Sequence, residues 1–174
     1  MSDTPHSRHE PTGRTAPPLL PAVDALTGAF YDWLARGELR VQRCLDCAVL
    51  RHVPRHLCPA CGSDEADWMA CTGHGVLFSW TTTHRALHPA HARTPFTTAV
   101  ITLDEGPRLV VPLVGARTEE LRPGLPVQLD LAARPESGNT ADGIVLPVFR
   151  PTSRHRFPRP APSPAGHHPH QKGS

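Results

Sequence analysis

The feature that most constrains this chain is a set of four cysteines in two close pairs. Cys44 and Cys47 form one Cys-x-x-Cys pair, and Cys58 and Cys61 form the second. Two residues between cysteines let one tight turn aim both sulfurs at a single ion, and two such turns complete a tetrahedron. Because four thiolates leave no open position, the spacing predicts a structural metal site. We favour one Zn²⁺ per chain, although iron in a rubredoxin-like site would use the same ligands.

Proline-rich ends limit how much of the 174-residue chain can fold. Residues 1–22 contain five of the 21 prolines and residues 151–174 contain six. Segments of this kind bury too little apolar surface to offset the entropy lost on ordering. We therefore predict a disordered tail over 1–22, a helix plus ribbon over 23–70, an OB-fold over 71–150, and a disordered basic tail over 151–174.

The pattern between the tails predicts a mainly β fold. Apolar residues at helical spacing predict an N-terminal helix over 23–37, with Asp24 as its N-cap and Gly37 as its stop. Short strands are predicted around the cysteine pairs, at 39–43 and 49–53. Val76, Phe78 and Trp80 are expected on one face of the strand that follows the ribbon. Five later strands, at 76–83, 97–103, 109–114, 126–131 and 143–149, indicate a rubredoxin-like zinc ribbon followed by a five-stranded OB-fold barrel.

The charge distribution argues against a nucleic-acid-binding body. Residues 24–150 carry 12 arginines against 14 Asp and Glu, a net charge of −2, whereas residues 151–174 carry +4. A nucleic-acid-binding domain normally has a basic footprint on its folded part. No stretch is long and apolar enough to span a membrane, and residues 1–18 have no apolar signal core. We therefore expect a cytoplasmic protein.

Other candidate residues have weaker signals. His84, Arg85 and Arg93 lie in the loop after the first barrel strand and are candidate substrate-binding residues. Arg85 and Arg93 would meet anionic phosphates of a ligand or face a partner subunit, and the alternative for all three is a solvated loop. Phe30 and Trp33 of the helix either cover the protein's own core or form a partner interface. Cys71, the fifth cysteine, is expected to be a small buried side chain rather than a catalytic thiol. No catalytic set is identified in the sequence.

The ordered combination of motifs between residues 28 and 151 resembles the zinc-ribbon OB-fold family that is associated with acyl-CoA. The cysteine pairs alone are generic, whereas the order of the motifs is specific. The motifs that carry the resemblance are Phe30-Tyr31-Asp32-Trp33-Leu34, Cys58-Pro59-Ala60-Cys61-Gly62, Gly73-His74-Gly75, Leu103-Asp104-Glu105-Gly106-Pro107 and Pro123-Gly124.

The resemblance implies a non-catalytic accessory subunit. Members of the family associate with thiolase-superfamily enzymes, which perform acyl transfer, condensation or retro-aldol cleavage on acyl-CoA, or with hot-dog-fold enoyl-CoA hydratases. In the family the four cysteines hold a structural zinc, and the small subunit sometimes helps to hold the CoA-thioester. No hydratase domain is identified within the 174 residues, so we expect a separate protein partner. The alternatives are a single-stranded nucleic-acid-binding OB-fold protein and an independent enzyme that uses Cys71.

Overall fold

The computed structural model of the chain describes residues 21–85, 94–132 and 144–153. The predicted tails lie almost wholly outside these ranges and remain predictions. No helix in the described part is long and apolar enough to cross a membrane.

The helix α1 (Ala25–Ala35) begins at the predicted N-cap. The Oδ1 atom of Asp24 accepts a hydrogen bond from the Thr27 amide at 2.7 Å, and the Thr27 hydroxyl accepts one from the Asp24 amide at 3.0 Å. This reciprocal pair satisfies two amide groups that the first helical turn leaves free. One face of α1 buries Phe30 and Leu34, which fixes the helix against the rest of the molecule.

The ribbon is a three-stranded antiparallel sheet. It comprises β1 (Arg40–Cys44), β2 (Leu50–Arg51) and β3 (Ala66–Ala70), in the order β2-β1-β3. The strand β3 was not predicted, because its residues are all partly buried or exposed and show no alternation. Its conformation depends on pairing with β1, where Cys44 lies opposite Ala66 and Arg40 opposite Ala70.

Five strands close into a barrel in the order β4-β5-β6-β8-β7, which confirms the predicted OB-type fold. The turn at 104–107 joins β5 and β6 as a hairpin, and β7 pairs with β4 to close the barrel. A 3₁₀ turn (Thr118–Glu120) lies between β6 and β7. The barrel strands are β4 (His74–Thr83), β5 (Phe96–Leu103), β6 (Arg108–Leu113), β7 (Pro126–Leu129) and β8 (Phe149–Pro151).

Two details of the barrel differ from the sequence prediction. The last strand begins at Phe149, so most of the predicted strand at 143–149 is irregular or outside the described residues. A β-bulge between Leu77 and Ser79 inserts one residue into β4 and reverses which side chains face inward. Trp80 therefore packs against the core while Phe78 is exposed, and the prediction that they share a face is wrong.

A single hydrophobic core runs from α1 through the ribbon into the barrel. It joins Phe30 and Leu34 of the helix to Val41 of β1 and to the inward residues of the barrel strands, including Ile101 and Phe149. At Gly75 the backbones of β4 and β5 approach so closely that a Cβ atom would lie 2.4 Å from the Thr102 carbonyl oxygen. Only glycine fits there without a shift of the backbone.

Candidate metal centre

The two cysteine pairs lie in two turns of the same shape. Cys44 ends β1, and its carbonyl oxygen accepts a hydrogen bond from the Ala48 amide at 3.0 Å. The Cys58 carbonyl oxygen accepts the equivalent bond from the Gly62 amide at 2.8 Å. The residue after each second cysteine has a positive φ, 59° at Ala48 and 79° at Gly62.

The four sulfur atoms form a compact cluster. The Sγ atoms of Cys44 and Cys61 are 3.6 Å apart, as are those of Cys47 and Cys58, and all four ligand atoms lie within 4.8 Å of one another. A tetrahedral ion with metal–sulfur bonds of ~2.3 Å requires sulfur–sulfur separations of about 3.8 Å. The four cysteines are therefore positioned to bind one metal ion.

Backbone amides stabilise the charged thiolate form of some of these cysteines. The pKa of the Cys44 thiol is lowered to about 6, chiefly by the Cys47 amide, and the Ala60 amide is the main group that lowers the pKa of Cys58. The Ser63 amide acts in the same direction on Cys61, but burial and the neighbouring cysteines raise its pKa to about 12. Four thiolates this close repel one another, so a cation is needed to hold all four in the charged form.

A buried polar network braces the loop between the two turns. The Gln42 Oε1 atom accepts hydrogen bonds from the Arg51 guanidinium and from the Arg55 amide, and the Arg51 guanidinium also donates to the Arg55 carbonyl oxygen at 3.2 Å. Gln42 and Arg51 are 6% and 7% exposed. This network was not predicted from the sequence, because polar residues in a short strand normally indicate a solvent-facing side.

The two residues predicted to meet a partner occupy different environments. Phe30 is 4% exposed and belongs to the core, although it also lines a cavity beside α1. Trp33 is partly buried, and the guanidinium carbons of Arg36 and Arg40 lie 4.8 and 3.9 Å from its ring centroid. These cation–π contacts cover much of the indole with the chain's own charges.

Two of the three predicted substrate-binding residues lie in the described part of the chain. His84 and Arg85 are exposed directly after β4. Arg93 lies outside the described residues, so the structure does not place it relative to the other two. The role of all three stays a prediction.

Cys71 lies at the junction of the ribbon and the barrel, on the wall of a cavity of about 430 Å³. Its side chain is partly buried, and burial together with the Glu105 carboxylate raises the pKa of its thiol to about 12. The thiol is therefore protonated at neutral pH. This environment is the opposite of the electropositive one that activates a nucleophilic cysteine.

Two known domain families match consecutive parts of the chain. The family described as "ChsH2, rubredoxin-like zinc ribbon domain" matches residues 34–66, and "ChsH2, C-terminal OB-fold domain" matches residues 68–132. Together they cover more than half of the chain.

Individual relatives agree with these matches. The chain is 35% identical to a chain of the solved structure "Ltp2-ChsH2(DUF35) aldolase", with a TM-score of 0.67. The match covers 76% of this chain and 98% of that one. It is 38% identical to a "Probable enoyl-CoA hydratase alpha subunit" of Thermomonospora curvata over 75% of its own length, but spans only 39% of that protein. It is 26% identical to a "DUF35 domain-containing scaffold protein" of Methanocaldococcus jannaschii, covering 59% of this chain and 72% of that one. The chain belongs to the ChsH2 (DUF35) family of zinc-ribbon OB-fold proteins.

Proposed function

We propose that the chain is a non-catalytic, zinc-binding accessory subunit of an enzyme complex that acts on acyl-CoA thioesters. The favoured partner is a thiolase-superfamily enzyme that performs acyl transfer, condensation or retro-aldol cleavage. The observation that carries this proposal is the 35% identity, over nearly the whole matched chain, to part of a solved aldolase assembly. The relatives named as scaffold proteins support a non-catalytic role.

The chemistry of the described residues agrees with that role. The four clustered cysteines would use every position of a tetrahedral ion, so the ion would stabilise the ribbon and offer no site for substrate. The thiol of Cys71 is protonated, which disfavours attack on a thioester. The reacting groups would then come from the partner.

Zinc is the metal that we propose for Cys44, Cys47, Cys58 and Cys61. The all-thiolate donor set and the sulfur spacing fit zinc, and the matching family is described as a zinc ribbon. Metal analysis of the purified chain should find one zinc per chain. A stoichiometric iron content with visible absorption would contradict the assignment.

A hot-dog-fold enoyl-CoA hydratase is the second candidate partner. Two relatives that share 38% and 32% identity with this chain are named as CoA hydratase alpha subunits. The chain spans only 39% and 34% of their lengths, so their activity belongs to the larger proteins.

Affinity capture of the tagged full chain from its native host tests the proposal. We expect mass spectrometry to identify a thiolase-like or hydratase-like subunit in stoichiometric amount. Recovery of the chain alone, or with proteins unrelated to acyl-CoA chemistry, would contradict it.

The exposed pair His84 and Arg85 is proposed to contact the phosphates of the CoA moiety. In the assembled complex, Arg85→Glu should raise the KM for acyl-CoA several-fold, at ~10-fold per 1.4 kcal/mol of lost binding, and leave kcat nearly unchanged. Arg122→Glu, at another exposed arginine, is the matched control. Equal KM values for the two variants would remove this pair from the site.

A further inference from the structure

The outer face of β6 is apolar and well exposed. Its alternate residues Leu109, Val111 and Leu113 point into the core. The intervening Arg108, Val110 and Pro112 therefore face outward. Val110 is 70% exposed, the highest value among the exposed large hydrophobic side chains of the described residues. Covering an exposed valine on a strand surface is energetically favourable, so this face is suited to a contact with another molecule.

This apolar surface continues onto the neighbouring strands. In the barrel register, Val100 of β5 lies opposite Val110, and Ser79 of β4 lies opposite Val100. Phe78 follows the inward Leu77 directly before the bulge, so it faces outward and is 47% exposed. We call the outward-facing set the apolar band: Phe78, Val100, Val110 and Pro112.

A cavity of about 150 Å³ opens at one end of the apolar band, where Val110 and Pro112 form part of its wall. The opposite wall comes from Phe30 and Tyr31 of α1, and Val53 contributes a 54% exposed side chain. A cavity of roughly this volume accepts a benzene-sized group. One leucine or phenylalanine side chain from another molecule would fill it.

His52 also lines this cavity, together with the polar residues Thr27 and Tyr31. Its ring packs 4.7 Å from that of Phe30, and its Nδ1 atom is buried with no hydrogen-bond partner among the described residues. Burial lowers the pKa of His52 to about 4, so the ring is neutral at pH 7. The ring therefore adds no charge to the cavity wall.

Arg108 gives the other end of the apolar band a single positive charge. Its guanidinium carbon lies 3.6 Å from the Phe78 ring centroid, and its Nε atom donates to the Thr102 hydroxyl at 3.4 Å. No carboxylate pairs with Arg108 within residues 21–85, 94–132 and 144–153. A guanidinium held in place on an aromatic ring is a ready partner for a carboxylate.

We infer that the apolar band, with its cavity and Arg108, is the surface on which the partner enzyme subunit docks. The partner would insert one apolar side chain into the cavity and pair one carboxylate with Arg108. This inference rests on the proposed function and adds to it the location of the interface. Phe30 would then contact the partner from the wall of the cavity, although it is buried in the core.

The charges on this surface favour a protein partner over the other occupants. A second copy related by a two-fold axis would bring the same band against itself, and the band holds no carboxylate for Arg108. A nucleic acid strand requires several basic residues along its path. Arg108 is one charge beside ten uncharged cavity residues, since His52 is neutral at pH 7.

Charge insertion into the apolar band tests the inference in the full-length chain. Val110→Glu and Arg108→Glu should each lower capture of the thiolase-like or hydratase-like subunit from the native host at least tenfold relative to the wild-type chain. Leu57→Glu is the matched control, because Leu57 is 60% exposed on the ribbon and outside the band. It should retain capture within about twofold of the wild-type chain, since exposed residues outside an interface contribute little. Zinc content and thermal unfolding verify that each variant folds.

The outcomes separate this inference from the proposed function. If the wild-type chain captures the enzyme subunit and both band variants capture it equally well, the docking surface is wrong while the proposed function stands. If the wild-type chain captures no such enzyme, both fail. A homodimer of the purified chain that Val110→Glu dissociates, or a labelled oligonucleotide that Arg108→Glu releases, would overturn the choice of occupant.

Discussion

At the scale of single residues, the ribbon depends on groups outside the cysteine cluster. Arg51 is a buried cation whose hydrogen bonds go to Gln42 and to the Arg55 carbonyl oxygen. Its Nη1 atom has no partner in the described part of the chain. Because this buried guanidinium has so few acceptors, the loss of either one should lower the free energy of unfolding.

Removal of the Gln42 acceptor tests this dependence. Gln42→Ala should lower the free energy of unfolding by about 2 kcal/mol or more, because the Arg51 Nε–H would stay buried without an acceptor. Gln128→Ala, on the partly buried strand β7, should change it by less than about 0.5 kcal/mol. Denaturant titration of both variants measures the difference. Equal losses would show that the network contributes nothing specific.

His52 couples the stability of the molecule to pH. Its pKa is lowered to about 4 by burial, from an ordinary value of 6.5, so the unfolded chain binds more protons between these two values. The stabilisation is complete above pH 6.5 and is lost as the pH falls toward 4. This loss amounts to about 3 kcal/mol.

His52→Leu should remove this part of the pH dependence. Between pH 7 and pH 4 the wild-type chain should lose about 3 kcal/mol more unfolding free energy than the variant. The two chains are compared over the pH range in which both keep their metal, because loss of the metal would disorder the ribbon that buries His52. Parallel pH profiles would mean that the ring is solvated in the folded chain.

At the scale of elements, local patterns predicted most of the fold. Asp24 and Gly37 mark the two ends of the helix, as predicted, because N-capping and a positive φ depend on single residues. The sequence also grouped the four cysteines, since two residues of spacing leave little freedom in how the sulfurs point.

The elements that were missed depend on pairing across the chain. The strand β3 has no alternating pattern of its own and exists through its register with β1. The bulge in β4 has no local signature, so the inward orientation of Trp80 was not foreseen. The apolar band and its cavity likewise combine residues from α1, the ribbon and the barrel.

The ribbon should lose its order when its metal is removed. Structural zinc contributes on the order of 10 kcal/mol to units too small to fold alone. Chelation should therefore abolish hydrogen-exchange protection in β1–β3, while β5 and β6 keep much of theirs. Cys58→Ser should reproduce this pattern, and Cys71→Ser, outside the cluster, should not. Protection of the ribbon that persists without metal would contradict the structural role.

At the scale of the whole molecule, the ribbon and the barrel share one core. Leu39 and Val41 from the ribbon pack in the same cluster as Leu77 and Val127 from the barrel. This continuity places α1 beside β6, so the cavity on the proposed docking surface draws its walls from both modules. The net charge of −2 between residues 24 and 150 agrees with a protein partner rather than a nucleic acid.

Turnover of acyl-CoA thioesters tests whether the chain is a non-catalytic subunit of an enzyme complex. Three samples are compared: the purified chain, the enzyme subunit captured with it, and the two recombined. We expect no turnover by the chain alone, and faster turnover by the recombined complex than by the enzyme subunit alone. Turnover by the chain alone that is lost in Cys71→Ala would contradict it, because the chain would then be an enzyme in its own right.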